Sequence, residues 1–176
     1  MRTTTIEEQL ARARRRIDLL HAAARAGTSE LQRIGFHLEA LRRVEAGVRA
    51  AALDAPEEVE ERLVLLTTRI DVTEKSLAAD ASDEWPTFSA AVTAELASWD
   101  TYLERLQATA AAKGGDARTR VEAAIADVRS QRIAVDDRLA RARANVADAW
   151  HAQRSQVCAA RDELERKAAE LSATLR

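Results

Sequence analysis

Little in this sequence breaks a helix, and little in it stands ready to do chemistry. Only two prolines and five glycines occur in 176 residues, so long helices meet few obstacles. Aromatic residues make up 3%, which leaves a spherical core short of the large side chains that usually fill it. The single cysteine, Cys158, excludes an internal disulfide and leaves a reducing compartment unproblematic. No window approaches the eighteen or so apolar residues of a membrane-spanning helix, and the first residues lack the apolar stretch of a secretory signal. A cytoplasmic location is expected. No Gly-rich phosphate loop, zinc-type Cys/His spacing or Ser/His/Asp ordering is present, so no enzyme activity, cofactor or metal is expected.

What the chain has in quantity is alanine, 39 residues, and charge, 32% of the total. That is the profile of long, exposed helices. An apolar seam runs through Ile6, Leu10, Ala13, Ile17, Leu20, Ala24, Gly27, Leu31, Ile34, Leu38, Leu41, Val48 and Ala52, in steps of four and three with Glu45 out of character. Such spacing places every member on one stripe of a helix and predicts coiled-coil packing.

Two turns divide the chain. Asp54-Ala55-Pro56-Glu57-Glu58 ends one helix and begins another, with Pro56 at a first helical position where its missing N–H costs nothing. Lys113-Gly114-Gly115-Asp116 does the same. The prediction is an all-α single domain over 1–176: an elongated antiparallel three-helix bundle with helices at about 4–53, 56–112 and 116–175. At 1.5 Å per residue the rod is roughly 75 to 90 Å long. Net charges of +4 over 1–53, −8 over 54–115 and +2 over 116–176 favour the acidic middle segment lying between the other two. Pro86, after Asp80-Ala81-Ser82-Asp83-Glu84-Trp85, breaks or kinks the middle helix into two nearly collinear pieces. The last seam shifts by a stutter between Val146 and Trp150. Reflected through the two turns, Gly27, Asp83 and Val146 fall at one level, which predicts a joint or bend halfway along the rod.

Asp18-x-x-His21 and Asp148-x-x-His151 each put a carboxylate and an imidazole on one helix face, but they lie roughly 16 Å apart along the predicted rod, so polar surface residues are the better reading. His37 has no better claim, and Cys158, next to Val157, reads as a small apolar group. The run Arg12, Arg14, Arg15, Arg16 sits in a chain of pI near 6.0 with no interleaved aromatics. It reads as a solvated face against an acidic neighbour, and nucleic-acid binding is not expected. A membrane surface remains an alternative partner, through opening of the amphipathic helices. Phe36, Val44, Val64, Leu65, Val72 and Tyr102 broaden the apolar surface beyond the seams. The expected interaction face for a protein partner or a second copy is built from Phe36, Val44, Leu65, Val72 and Tyr102. Glu45 and Arg132, polar residues at seam positions, are expected to fix register.

Residues 95–106, Glu-Leu-Ala-Ser-Trp-Asp-Thr-Tyr-Leu-Glu-Arg-Leu, followed by a long charged stretch and then Asp148-Ala149-Trp150, resemble small bacterial coiled-coil proteins of the stress-response type. The resemblance covers about 87–176. It implies a soluble helical protein with no catalytic residues to carry over. The first half has no counterpart in those shorter proteins, and the glycine they carry shortly after the second Trp is absent after Trp150. The functional expectation is a non-enzymatic coiled-coil interaction or structural protein, with a reversible, lipid-binding membrane-surface protein as the alternative.

Overall fold

The computed structural model describes residues 2–26, 42, 45–48, 56–112, 114–144 and 146–174. These residues form five long helices, α1 (Arg2–Ala26), α2 (Pro56–Asp80), α3 (Trp85–Ala111), α4 (Gly115–Ala144) and α5 (Val146–Thr174). Residues 45–48 are helical too, and no strand occurs among the described residues. The expected all-helical fold is thus observed. Its arrangement differs from a rod of three long helices.

The predicted middle helix is a hairpin. α2 and α3 lie side by side, so that the Arg69 guanidinium of α2 sits 4.5 Å above the Trp99 ring of α3. The reversal is built at 81–84. The Ala81 N–H donates to the Leu77 carbonyl and the Ser82 hydroxyl to that of Ala78, which closes α2. Glu84, with extended backbone, caps α3, its carbonyl accepting the first bond from the Phe88 N–H at 3.0 Å. Pro86 occupies the first turn of α3, where no intrahelical N–H is needed. Proline therefore starts a new helix here instead of bending an old one.

The predicted last helix is a second hairpin. Asp127 of α4 meets Lys167 of α5 at 3.9 Å, and the Arg138 guanidinium of α4 donates to the Gln156 carbonyl of α5 at 3.2 Å. One residue number rises as the other falls, which defines antiparallel neighbours. The stutter between Val146 and Trp150 coincides with this reversal, since α4 ends at Ala144 and α5 begins at Val146. The expected halfway joint is therefore a pair of chain reversals, at Asp83 and beside Val146; Gly27 lies outside the described residues.

Of the turn predicted at 113–116, the described residues 114–116 lie between α3 and the body of α4. Gly115 adopts φ +58, a conformation that costs a side-chain-bearing residue energy, and so permits the tight return from α3 to α4. Across it, α3 and α4 run antiparallel, with Arg132 bonded to Asp100 at 2.8 Å and Arg143 to Ser89 at 3.0 Å. The turn expected at Asp54-Ala55 lies outside the described residues, but Pro56 does open α2.

Two apolar layers result. The larger is a four-helix core including Val72 and Ala79 of α2, Phe88, Leu96 and Trp99 of α3, Ile125 and Leu139 of α4, and Val157 and Leu164 of α5. The smaller joins Ala13, Ile17 and Leu20 of α1 and Val48 to Val59, Leu63, Leu66 and Ile70 of α2. α2 lies between the layers and contributes to both.

Candidate functional site

One face of α2 inside the bundle is polar. Arg69, Thr73, Ser76 and Asp80 follow at steps of four, three and four, so they share a stripe, and all four are buried. Opposite them on α5 stand Arg161 and Glu165, one turn apart and also buried. Glu95 of α3 completes the layer at 1% exposure.

The ion pairs run between hairpins. Arg69 of α2 forms a two-pronged pair with Glu165 of α5, with Nη1 3.2 Å from Oε1 and Nη2 against Oε2. Its guanidinium plane rests over Trp99 and, at 5.8 Å, over Tyr102 of α3. Such stacking suits a delocalised, weakly hydrated cation removed from water. Arg161 of α5 holds Glu95 at 2.7 Å through Nε, Asp80 at 2.6 Å through Nη1, and both the hydroxyl and carbonyl of Ser76 through Nη2, at 2.8 and 3.0 Å. Two helices of one hairpin are thus tied to one helix of the other by a single side chain.

Electrostatics follow from burial and pairing. Burial opposes the charge on Arg69, but Glu165 beside it more than compensates, and its pKa lies above the ordinary guanidinium value. Arg161 behaves in the same way, with Glu95 and Asp80 outweighing the loss of water. Burial raises the pKa of Tyr102, with Arg69 and Ser172 acting in the opposite direction. Both guanidiniums are therefore charged around neutral pH, and the Tyr102 phenol is neutral.

At the turn end, Trp85, Phe88 and Trp150 form a cluster of edge-on contacts, with Trp150 5.3 Å from Trp85 and 5.2 Å from Phe88. The Trp150 indole donates to the Asp83 carbonyl at 3.2 Å, and Arg154 donates to the Asp80 carbonyl at 2.9 Å while lying 5.5 Å over Phe88. These bonds pin the α2–α3 reversal to the start of α5.

Three of the five residues of the expected interaction face are described, and none of these three is fully exposed. Val72 and Tyr102 are buried in the four-helix core, because folding the middle segment into a hairpin turns them towards α4 and α5. Leu65 packs half-buried against the same core. Phe36 and Val44 lie outside the described residues. Val64 remains exposed, as do Leu19 and Ile133. Arg16 does face an acidic neighbour, meeting Glu74 at 2.8 Å and Asp71 at 2.5 Å on α2. Of the two seam polar residues, Arg132 pairs with Asp100 and Asp136, and Glu45 lies 3.9 Å from Arg14.

His21 and Asp18 line an open cleft of about 410 Å³ with Arg14, Arg42 and Glu45, and His21 Nδ1 lies 3.0 Å from the Ile17 carbonyl of its own helix. His151 is exposed. Side chains of Asp148 and His37 lie outside the described residues, and among the described ones no group of three or more potential metal ligands converges. Cys158 is buried, 3.9 Å from Arg161 Nη1.

Sequence reasoning missed the polar stripe on α2. Its signal was present: Arg69, Thr73, Ser76 and Asp80 repeat at the spacing of an apolar seam, beside a genuine one at Leu63, Leu66 and Ile70. The stretch 95–106 supplies Glu95, Trp99 and Tyr102 to this layer and Leu96, Leu103 and Leu106 to the core. No family model, curated protein or solved structure matches the chain. Among the described residues no helix is long and apolar enough to cross a membrane.

Proposed function

We propose that this protein is a non-enzymatic helical interaction or structural module that works through its surface. The observation supporting this reading is the buried charge layer between hairpins. Its arginines and carboxylates are buried and engaged with one another, so they serve alignment instead of chemistry. Sliding one hairpin past the other by one helical turn would leave several charges buried without partners, at a cost of several kcal/mol. The layer thus selects one register, as polar residues do in coiled coils. A rigid bundle with a fixed outer surface follows. The resemblance of about 87–176 to small bacterial stress-response coiled coils fits such a role and assigns it no reaction.

Affinity capture from native lysate, with membranes retained, tests the proposal. A protein recovered in stoichiometric amount supports it. Recovery of the chain alone, as a monomer without partner or lipid, contradicts the interaction reading.

A second reading is favoured by the same ionic layer. If the α2–α3 and α4–α5 hairpins part, the charged side chains return to water and the apolar stripes become available to acyl chains. The protein would then bind membrane surfaces reversibly. Flotation with anionic vesicles that weakens as salt rises supports this alternative, and absence of flotation at low salt removes it.

A further inference from the structure

The cleft of about 410 Å³ beside α1 is open, and it leaves charged groups of both signs uncommitted. We propose that it binds a small zwitterion, a carboxylate and an ammonium carried on one short aliphatic frame, the class of the free amino acids. Its volume falls in the range of small-molecule sites, about 300 to 1,000 Å³. The site goes beyond the surface role proposed above, and a ligand held there ties α1 to the helical residues at 45–48.

Arg14, Asp18 and His21 follow at steps of four and three along α1, so one face of that helix presents them together. Arg42 brings a second guanidinium from outside α1, and Glu45 lies 3.9 Å from Arg14. Neither Asp18 nor Arg42 is engaged by an ion pair or a side-chain hydrogen bond among the described residues, and both are exposed. The His21 ring is half committed. A carbonyl only accepts, so the Nδ1 that lies 3.0 Å from the Ile17 carbonyl carries the proton, and in the neutral ring Nε2 is left as an acceptor. Ile17 and Ala22 supply the apolar part of the wall.

A wall bearing both signs selects a ligand bearing both signs. A simple anion gains the two guanidiniums but meets Asp18 and Glu45, and a simple cation gains the carboxylates but meets Arg14 and Arg42. A metal ion lacks ligands, because no group of three or more potential ones converges among the described residues. A zwitterion satisfies both sets. Arg42 offers its carboxylate the parallel donors of a planar guanidinium. Asp18 takes the ammonium, with His21 Nε2 as a further acceptor, and the apolar wall favours an aliphatic side chain over a charged one.

L-Leucine is the probe, titrated into the full chain while the imidazole resonances are followed by NMR, with the His21 signal assigned through His21→Gln. Leucine should shift the His21 resonance saturably and leave that of His151 in place. Leucinamide lacks the carboxylate and N-acetylleucine lacks the ammonium, so each should bind about tenfold weaker or worse. Arg42→Gln and Asp18→Asn, at exposed positions where circular dichroism should show the fold unchanged, should each weaken leucine binding by about the same factor. Absence of a saturable shift, an equal response to all three compounds, or undiminished binding by both variants overturns the proposal. Tighter binding of inorganic phosphate than of leucine assigns the cleft to simple anions and overturns it as well.

Discussion

Arg161 of α5 ties both α2 and α3 to its own helix. It is 2% exposed and bonds Glu95, Asp80 and Ser76, so its removal strands carboxylates where water cannot reach them. Arg161→Ala should destabilise the fold by about 3–5 kcal/mol in urea unfolding, whereas Arg166→Ala, at an exposed i,i+4 pair with Glu170, should leave stability close to unchanged. Equal effects would show that the buried layer contributes no more than surface pairs do. Tyr102, the only tyrosine, gives the layer a titration signature. Burial raises its pKa in the folded state, so the neutral phenol is the form the fold favours. Its contribution is complete below the unfolded value of about 10 and declines as pH rises through the higher folded value. Phenolate absorbance should therefore appear later in the folded protein than in urea, and Tyr102→Phe should flatten stability above about pH 10. At this scale the sequence was only partly legible. The pattern marks Tyr102 and Val72 as apolar positions beyond a hairpin's needs, but it places them on an outer face because nothing in it announces the fold-back that buries them.

Helices are legible from periodicity, and reversals are legible only where the backbone demands a special residue. Gly115 at positive φ marks such a place, and the glycine pair predicts the α3–α4 turn. Gly115→Ala should cost about 1 kcal/mol through backbone strain, with helicity retained, because a Cβ there meets open space and not a neighbour. A loss of folding would mean that the turn is packed more tightly than the structure shows. The α2–α3 reversal uses polar caps and Pro86, signals that suit a kink as well as a turn. The α4–α5 reversal has neither glycine nor proline, and its only trace was a phase shift in the seam. Both stretches keep apolar residues on a stripe through the break, so periodicity alone favoured continuity. α2 is the other element that pattern reading simplified. It has an apolar stripe towards α1, a polar stripe towards α5 and a third face, through Val72 and Ala79, in the four-helix core. A seam search finds the first and passes over the second.

For the molecule as a whole, these reversals exchange a long rod for a bundle of helices 25 to 30 residues long, each spanning roughly 38 to 45 Å. The shorter form brings α2 and α5 together, and that contact is where the buried charges sit. Register selection and the pinned turn end both depend on it. The most direct test is a spin-label distance between positions 127 and 167, introduced as Asp127→Cys and Lys167→Cys in a Cys158→Ala background. Side-by-side helices predict a separation on the order of 10–20 Å, given interaxial spacings of about 8–10 Å and the label arms. A continuous helix through 145 would place these labels about 60 Å apart, and that value would contradict the two-hairpin bundle and the inferences built on it.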